Sequence, residues 1–174
     1  MEEKKPISSL IAGLLIAAVL IVYSCILYFM GMEQAGMHRW LQLLIILIGL
    51  IVFVNMYGNA KNNQVTFGNL FGYGFKTTAV LALIMILFTV IFLLLFPDVK
   101  EKGFETARQQ LEESGNRTQS EIDEAMEIGR KMFWPITIGS ILLIYAIIGV
   151  ISSLIGAAIT KKKPVNPVDQ LDMR

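Results

Sequence analysis

Four stretches without a single Asp, Glu, Lys or Arg, residues 6–32, 40–60, 77–97 and 132–160, hold 98 of the 174 residues. All 29 formal charges are thereby crowded into the other 76 positions. Soluble domains spread about 25% charged residues over their surface. Here the share is 17%, and it is segregated. That pattern excludes an ordinary soluble globule, a nucleic-acid binder and a disordered chain. A helix needs about 20 apolar residues to cross roughly 30 Å of hydrocarbon, and each stretch meets that length. A charge at a helix centre costs about 2.5–3.5 kcal/mol on insertion scales, which none of the four incurs. The expected fold class is therefore all-α, a polytopic membrane protein with four transmembrane helices.

The spans are expected at about 7–30, 40–57, 75–96 and 134–160, in a single domain over residues 1–163. Trp40 and Tyr57 stand at the limits of the second, where amphipathic rings favour the headgroup level. Pro97 and Asp98 close the third, whose charge-free part begins at Thr77. Pro135 falls in the first turn of the fourth, where its missing N–H costs least, and Lys161, Lys162 and Lys163 close that span. Lys4 and Lys5 before an apolar run mimic a signal peptide, and Val22-Tyr23-Ser24-Cys25 mimics a lipoprotein cleavage box. The run is too long for either, it continues through Ile26–Met30, and Tyr23 is bulky for such a box. A retained helix is expected.

Four spans put both termini on one side. That side carries Lys4, Lys5, Lys61, Lys76, Lys161, Lys162, Lys163 and Arg174, against Arg39, Lys100, Lys102, Arg108, Arg117, Arg130 and Lys131 opposite. Because the lysine triplet abuts a span directly, the termini are expected in the cytoplasm.

The connections differ in kind. Residues 31–39 form a tight link, so the first two spans are expected to pack antiparallel. In 61–76, Thr66 is placed to cap a helix on which Phe67, Phe71 and Phe75 share one face. That helix either lies in the interface or opens the third span. Gly68 and Gly72 recur beside the rings as a Gly-x-x-x-Gly pair, for which helix packing is the preferred reading over a ligand site. The extramembrane loop 97–133 reads as an amphipathic helical hairpin. Phe104, Ala107 and Leu111 mark a helix over Val99–Glu113. Ser114-Gly115-Asn116 interrupts it, and Thr118-Gln119-Ser120-Glu121 forms a capping box for a second helix. The hairpin is expected to lie against the membrane surface, its acids on a solvated face. Glu112, Glu113, Asp123, Glu124 and Glu127 lack the ligand spacing of a calcium loop. Residues 164–174, with Pro164 and Pro167, are expected to be a disordered tail.

Chemistry is sparse. One cysteine, Cys25, excludes an intramolecular disulfide, and one histidine, His38, leaves no pair for a metal. With the third taken from Thr77, the spans carry no ionisable Asp, Glu, Lys, Arg or His of the kind that marks ion and proton pathways. Paired acids, a Ser–His pair and a His-Glu-x-x-His motif are missing from them as well. No catalytic, cofactor-binding or metal-ligating residue and no cofactor is assigned, and the chain is read as not an enzyme. Gln42 and Asn55 are the most polar groups in the spans. They are read as interhelical or interfacial hydrogen-bonders in preference to a pocket-lining pair. Gly149, Ser153 and Ala157, with Ser152 and Gly156, form small-residue stripes on the fourth span, as do Ser9, Gly13 and Ala17 on the first.

The order of parts is specific enough to compare. The Phe-Gly-rich entry Thr66-Phe67-Gly68-Asn69-Leu70-Phe71-Gly72-Tyr73-Gly74-Phe75 is followed by a charged helical loop. The fourth span then ends Ile151-Ser152-Ser153-Leu154-Ile155-Gly156-Ala157-Ala158-Ile159-Thr160-Lys161-Lys162-Lys163. Together these resemble the domain of unknown function 4199 family of small four-span bacterial membrane proteins. The resemblance covers nearly the whole chain and implies a bacterial inner (cytoplasmic) membrane location. It brings no catalytic or binding residue with it. The leading functional expectation is a non-enzymatic accessory or scaffold subunit. Its partners would be the lipid bilayer and other membrane proteins or a homo-oligomer, with no nucleic acid. The alternatives are a small oligomeric transporter or channel and a lipid-interacting protein, the last resting on the Phe67–Phe75 stripe and the basic tail.

Overall fold

The computed structural model describes residues 5–31 and 36–163. Six helices follow one another: α1 (Ser9–Phe29), α2 (Gly36–Ala60), α3 (Phe67–Leu95), α4 (Pro97–Glu113), α5 (Gln119–Lys131) and α6 (Phe133–Ile159). No strand occurs among the described residues. Four of the six are long and apolar enough to cross a membrane: α1, α2 from Trp40 onward, α3 and α6. Leu14 (48% exposed) and Leu83 (65%) turn outward, a surface suited to lipid and costly in water. The chain is thus a multi-pass membrane protein. The tail 164–174 lies outside the described residues.

The ends of the helices follow local chemistry. Ser8 caps α1 by accepting from the Ile11 N–H at 3.3 Å. Thr66 caps α3 likewise, accepting from the Asn69 N–H at 3.2 Å. No break separates that cap from the third span, so the Phe-rich entry is the first part of one 29-residue helix. At 1.5 Å per residue, about 28 Å of α3 lies beyond Lys76 and already matches the hydrocarbon thickness. The Phe67–Lys76 segment is therefore additional to the length a crossing needs.

Two compact units divide the chain. The first, from residues 1–85 and 143–174, holds α1, α2, most of α3 and the second half of α6. Its packing is made by small residues. A Cβ added at Gly13 would come within 2.8 Å of Val80, and one at Gly156 within 3.0 Å of Val54. At Gly74 it would collide with Ser153, and at Gly149 with Thr78. Lipid tails are as apolar as Leu, so helices in a bilayer associate through close packing of this kind. The stripes on α6 sit at these contacts: Gly149, Ser152, Ser153, Gly156 and Ala157 are all buried. On α1, Gly13 and Ala17 are buried as well. Thr77 and Thr78 donate their hydroxyls back to the carbonyls of Tyr73 (2.9 Å) and Gly74 (3.0 Å), which satisfies them without a partner helix.

The second unit, residues 86–142, contains α4 and α5, which pack antiparallel. Pro97 opens α4, where its missing N–H is harmless. Gly115, at φ +64°, takes the left-handed turn after it. Thr118 and Glu121 complete a capping box at α5, the carboxylate accepting from the Thr118 N–H at 2.7 Å. Those bonds hold the Glu121 carboxyl below the usual glutamate range. Ile122 (1% exposed) and Phe104 (9%) fill the seam between the two helices. Arg130 covers the Phe104 ring at 4.6 Å and reaches Glu101 with two hydrogen bonds, at 3.0 and 3.3 Å. Arg108 joins Glu112 on its own helix (3.0 Å) to Asp123 on the next (2.8 Å), and both carboxylates keep its guanidinium protonated.

Candidate ligand cleft

Within the first unit, the start of α1, the end of α2 and the start of α3 enclose an open-sided cleft of about 910 Å³. Pro6, Ile7, Ser8 and Ser9 form one wall. Tyr57 and Lys61 contribute the second, and Gly68, Asn69, Gly72, Tyr73 and Lys76 the third, with Val65 between them. Its size is that of an ordinary small-molecule pocket.

The glycine row explains why the space exists. A Cβ at Gly72 would meet nothing within 4 Å, and one at Gly68 would meet only the Thr66 hydroxyl, at 3.8 Å. The expected packing role for this pair is not what the structure shows. Among the described residues no neighbouring helix approaches these two glycines, and both line the cleft. The helices draw together one face further round, at Gly74. Positions 68, 72 and 76 share one helical row, so two missing side chains precede Lys76 along the cleft wall.

Two rings stiffen the wall. Tyr57 and Tyr73 stack with centroids 4.3 Å apart and planes 15° apart. Tyr73 is 7% exposed and belongs to the buried cluster with Val54, Val65 and Leu70. Beside the glycine row, Phe67, Phe71 and Phe75 stack in succession at 6.5 and 6.1 Å. Phe67 and Phe75 are 44% and 46% exposed, a phenyl ladder open to whatever surrounds the helix.

Among the described residues, the charges at this end are all basic. The described residues of the first unit include Lys5, Lys61, Lys76, Lys161, Lys162 and Lys163 near the cleft and Arg39 at the far end of α2, with no Asp or Glu at all. The end of α6 joins the same region, since the Lys163 N–H donates to the Asn63 carbonyl at 2.8 Å. Lys162 donates to the Ala157 carbonyl (2.6 Å) and stands over the Phe67 ring at 5.6 Å. The described acids all belong to the second unit.

The other polar groups do not assemble into a site. Gln42 donates to Ser24 at 3.3 Å, tying α2 to α1. Asn55 accepts from Asn59 on its own helix at 2.8 Å. Tyr23 meets the His38 Nδ1 at 2.9 Å. Among the described residues no group of His, Cys, Asp and Glu is placed to hold a metal.

The family model described as a protein of unknown function (DUF4199) matches residues 12–162. The chain belongs to that family. The DUF4199 match takes in α1 from Ala12 onward, the whole of α2 to α6 and every cleft residue except Pro6 to Ser9. No curated protein and no solved structure matches the chain. The family has no described activity, so the cleft is the ground for function.

Sequence reasoning singled out Gly68 and Gly72 but passed over Tyr73, and it counted Lys61 and Lys76 only toward orientation. The available signal was the row Gly68, Gly72, Lys76, which ends in a charge where a packing stripe would not.

Proposed function

We propose that this DUF4199 member is a non-enzymatic, lipid-interacting protein of the bacterial inner membrane, its basic end engaging anionic headgroups. The observation that carries the reading is a roomy cleft at the Phe67–Lys76 end of the bundle, set among lysines with no acid among the described residues of the first unit. Each lysine near an anionic surface contributes about 1 kcal/mol of attraction. The phenyl ladder offers acyl chains a flat apolar face beside the same cleft. The positive-inside rule supports a cytoplasmic basic end, and with it cytoplasmic termini, as part of this reading.

The test is the composition of the lipid shell. Spin-labelled phosphatidylglycerol and phosphatidylcholine are compared by electron paramagnetic resonance on the reconstituted full-length protein. Excess phosphatidylglycerol in the motionally restricted fraction, declining as salt is raised, is the expected result. Equal partition of the two lipids contradicts the reading.

A second reading, an accessory or scaffold subunit, is favoured by the α4–α5 pair. That pair is already ordered by its own core, with Glu105, Glu113 and Glu124 turned to solvent. Crosslinking after detergent extraction should then capture a defined membrane partner or a homo-oligomer through residues 97–131. A strictly monomeric, partnerless protein contradicts it.

A further inference from the structure

We infer that the base of the α4–α5 pair is a lipid-contact surface: Ile128 and Met132 seat in the boundary between acyl chains and headgroups, and the acid-rich tip of the pair stands in water. The surface belongs to the second unit and goes beyond the basic-end reading, which neither supports it nor depends on it.

The pair has two unlike sides. The ion pairs that cross between its helices, Arg108–Asp123 and Arg130–Glu101, lie on one of them, because 101 and 108 are two turns apart on α4 and 123 and 130 are two turns apart on α5. Ile128 and Met132 stand two residues before and after Arg130, a rotation of about 200° on a helix, and so face the other side. They are 53% and 48% exposed. On α4 the corresponding position, two residues after Glu101, is Gly103, where an added Cβ would meet nothing within 4 Å. An open apolar side opposite an ion-paired one is the division of residues that an amphipathic element at a lipid boundary needs.

What covers this side follows from its continuity with α6. Met132 alone separates α5 from α6, and the helical hydrogen bonds run on through it. Its N–H donates to the Ile128 carbonyl at 2.8 Å, and its carbonyl accepts from the Ile136 N–H at 3.0 Å. Ile128, Met132 and Ile136 therefore form one row at four-residue spacing, and Ile136, 53% exposed, already belongs to a helix suited to crossing the membrane. On the other leg Phe96 alone separates α3 from α4, and Leu94 and Leu95 just before it are exposed. Lipid thus reaches the base of the pair on both legs. From Met132 to Ile128 is one turn, about 6 Å along the axis, within the 5–10 Å depth of the headgroup–acyl boundary. Phe133 and Trp134 add the aromatic rings favoured at that level, and the Lys100 ammonium stands over the Phe133 ring at 4.8 Å.

Charge sets the other limit of the surface. The row turns polar at Glu124, an exposed acid one turn nearer the tip. Residues 97–102 and 127–131 carry three acids and four bases, whereas residues 103–126 carry six acids and two bases. A pair lying flat on the membrane, as expected of an amphipathic hairpin, would press those tip acids toward the apolar boundary, where an ionised carboxylate is costly. A pair standing on its base leaves them hydrated.

The experiment uses the full-length protein in phosphatidylcholine vesicles. A nitroxide is attached to one cysteine at a time, Glu105→Cys, Glu124→Cys, Ile128→Cys or Met132→Cys, in a Cys25→Ser background. Power saturation then compares its accessibility to oxygen, which concentrates in lipid, with that to a water-soluble nickel chelate. A higher oxygen-to-nickel ratio at 128 and 132 than at 105 and 124 is expected. Nickel accessibility at 128 and 132 equal to that at 124 would place the row in water and overturn the surface. Shielding from both reagents would overturn it in favour of a protein contact, and dipolar broadening between labels would identify that contact as a second copy of the chain. None of these readings involves the cleft, so the basic-end reading stands or falls separately.

Discussion

Gly74→Ala should destabilise the bundle, whereas Gly72→Ala, two positions earlier on the same helix, should not. A Cβ at Gly74 would stand 2.9 Å from both the Ser153 Cβ and the Val54 Cγ2 and closer still to the Ser153 hydroxyl. Carbon atoms prefer about 3.5–4.0 Å, so one of three helices must give way. The Ser153 hydroxyl can rotate aside, but its Cβ is set by the backbone of α6. At Gly72 the same atom meets nothing within 4 Å. Both substitutions gain the roughly 1 kcal/mol of helix preference that Ala holds over Gly, so that gain cancels between them. The remaining difference is the overpacking cost, about 1–3 kcal/mol. For a chain of this size it corresponds to melting temperatures about 2–12 °C apart. Thermal unfolding of the two purified variants in the same detergent measures it. Equal melting temperatures would refute the claim that α3 and α6 meet through their small residues.

The extramembrane pair yields further expectations. Phe104→Ala removes the ring beneath Arg130 and against Phe133, and should cost about 3 kcal/mol, read as lost amide protection in α4 and α5 while the four long helices stay protected. Because the Glu121 carboxyl is depressed in the folded state, its stabilising effect is complete above the ordinary glutamate value of 4.5 and is lost as pH falls through the lower, folded value. Amide protection factors at the start of α5, taken relative to the intrinsic exchange rate at each pH, should accordingly fall between pH 5 and pH 3, and Glu121→Gln should flatten that response. Ser114→Cys in a Cys25→Ser background should react with a membrane-impermeant maleimide in intact cells once the outer membrane is opened. Protection there, with labelling after lysis, would reverse the orientation.

Much of this architecture was legible because membrane insertion imposes a coarse rule. A charge in hydrocarbon is expensive enough that four charge-free stretches could scarcely be anything but four apolar helices. The α5 start was equally readable, since Thr118 and Glu121 carry their hydrogen-bonding logic in a four-residue pattern. The α6 stripes were readable because Gly149, Ser153 and Ala157 leave room that only a neighbouring helix fills. Gly68 and Gly72 share that spacing and do the opposite. Spacing records which positions face one way, and it does not record whether a helix or an empty cleft stands there. Tyr73 escaped notice for the same reason, since its stacking partner Tyr57 comes from α2.

The most direct test of the account uses phosphatidylglycerol bearing a photoactivatable group on its headgroup, incorporated into vesicles with the wild-type protein. After irradiation, adducts are mapped by peptide mass spectrometry. Labelling concentrated on residues 57–76, and reduced in Gly72→Leu, is the expected result. Labelling concentrated on residues 97–131, or spread evenly over every exposed segment, would contradict the assignment of the cleft as the headgroup-facing site.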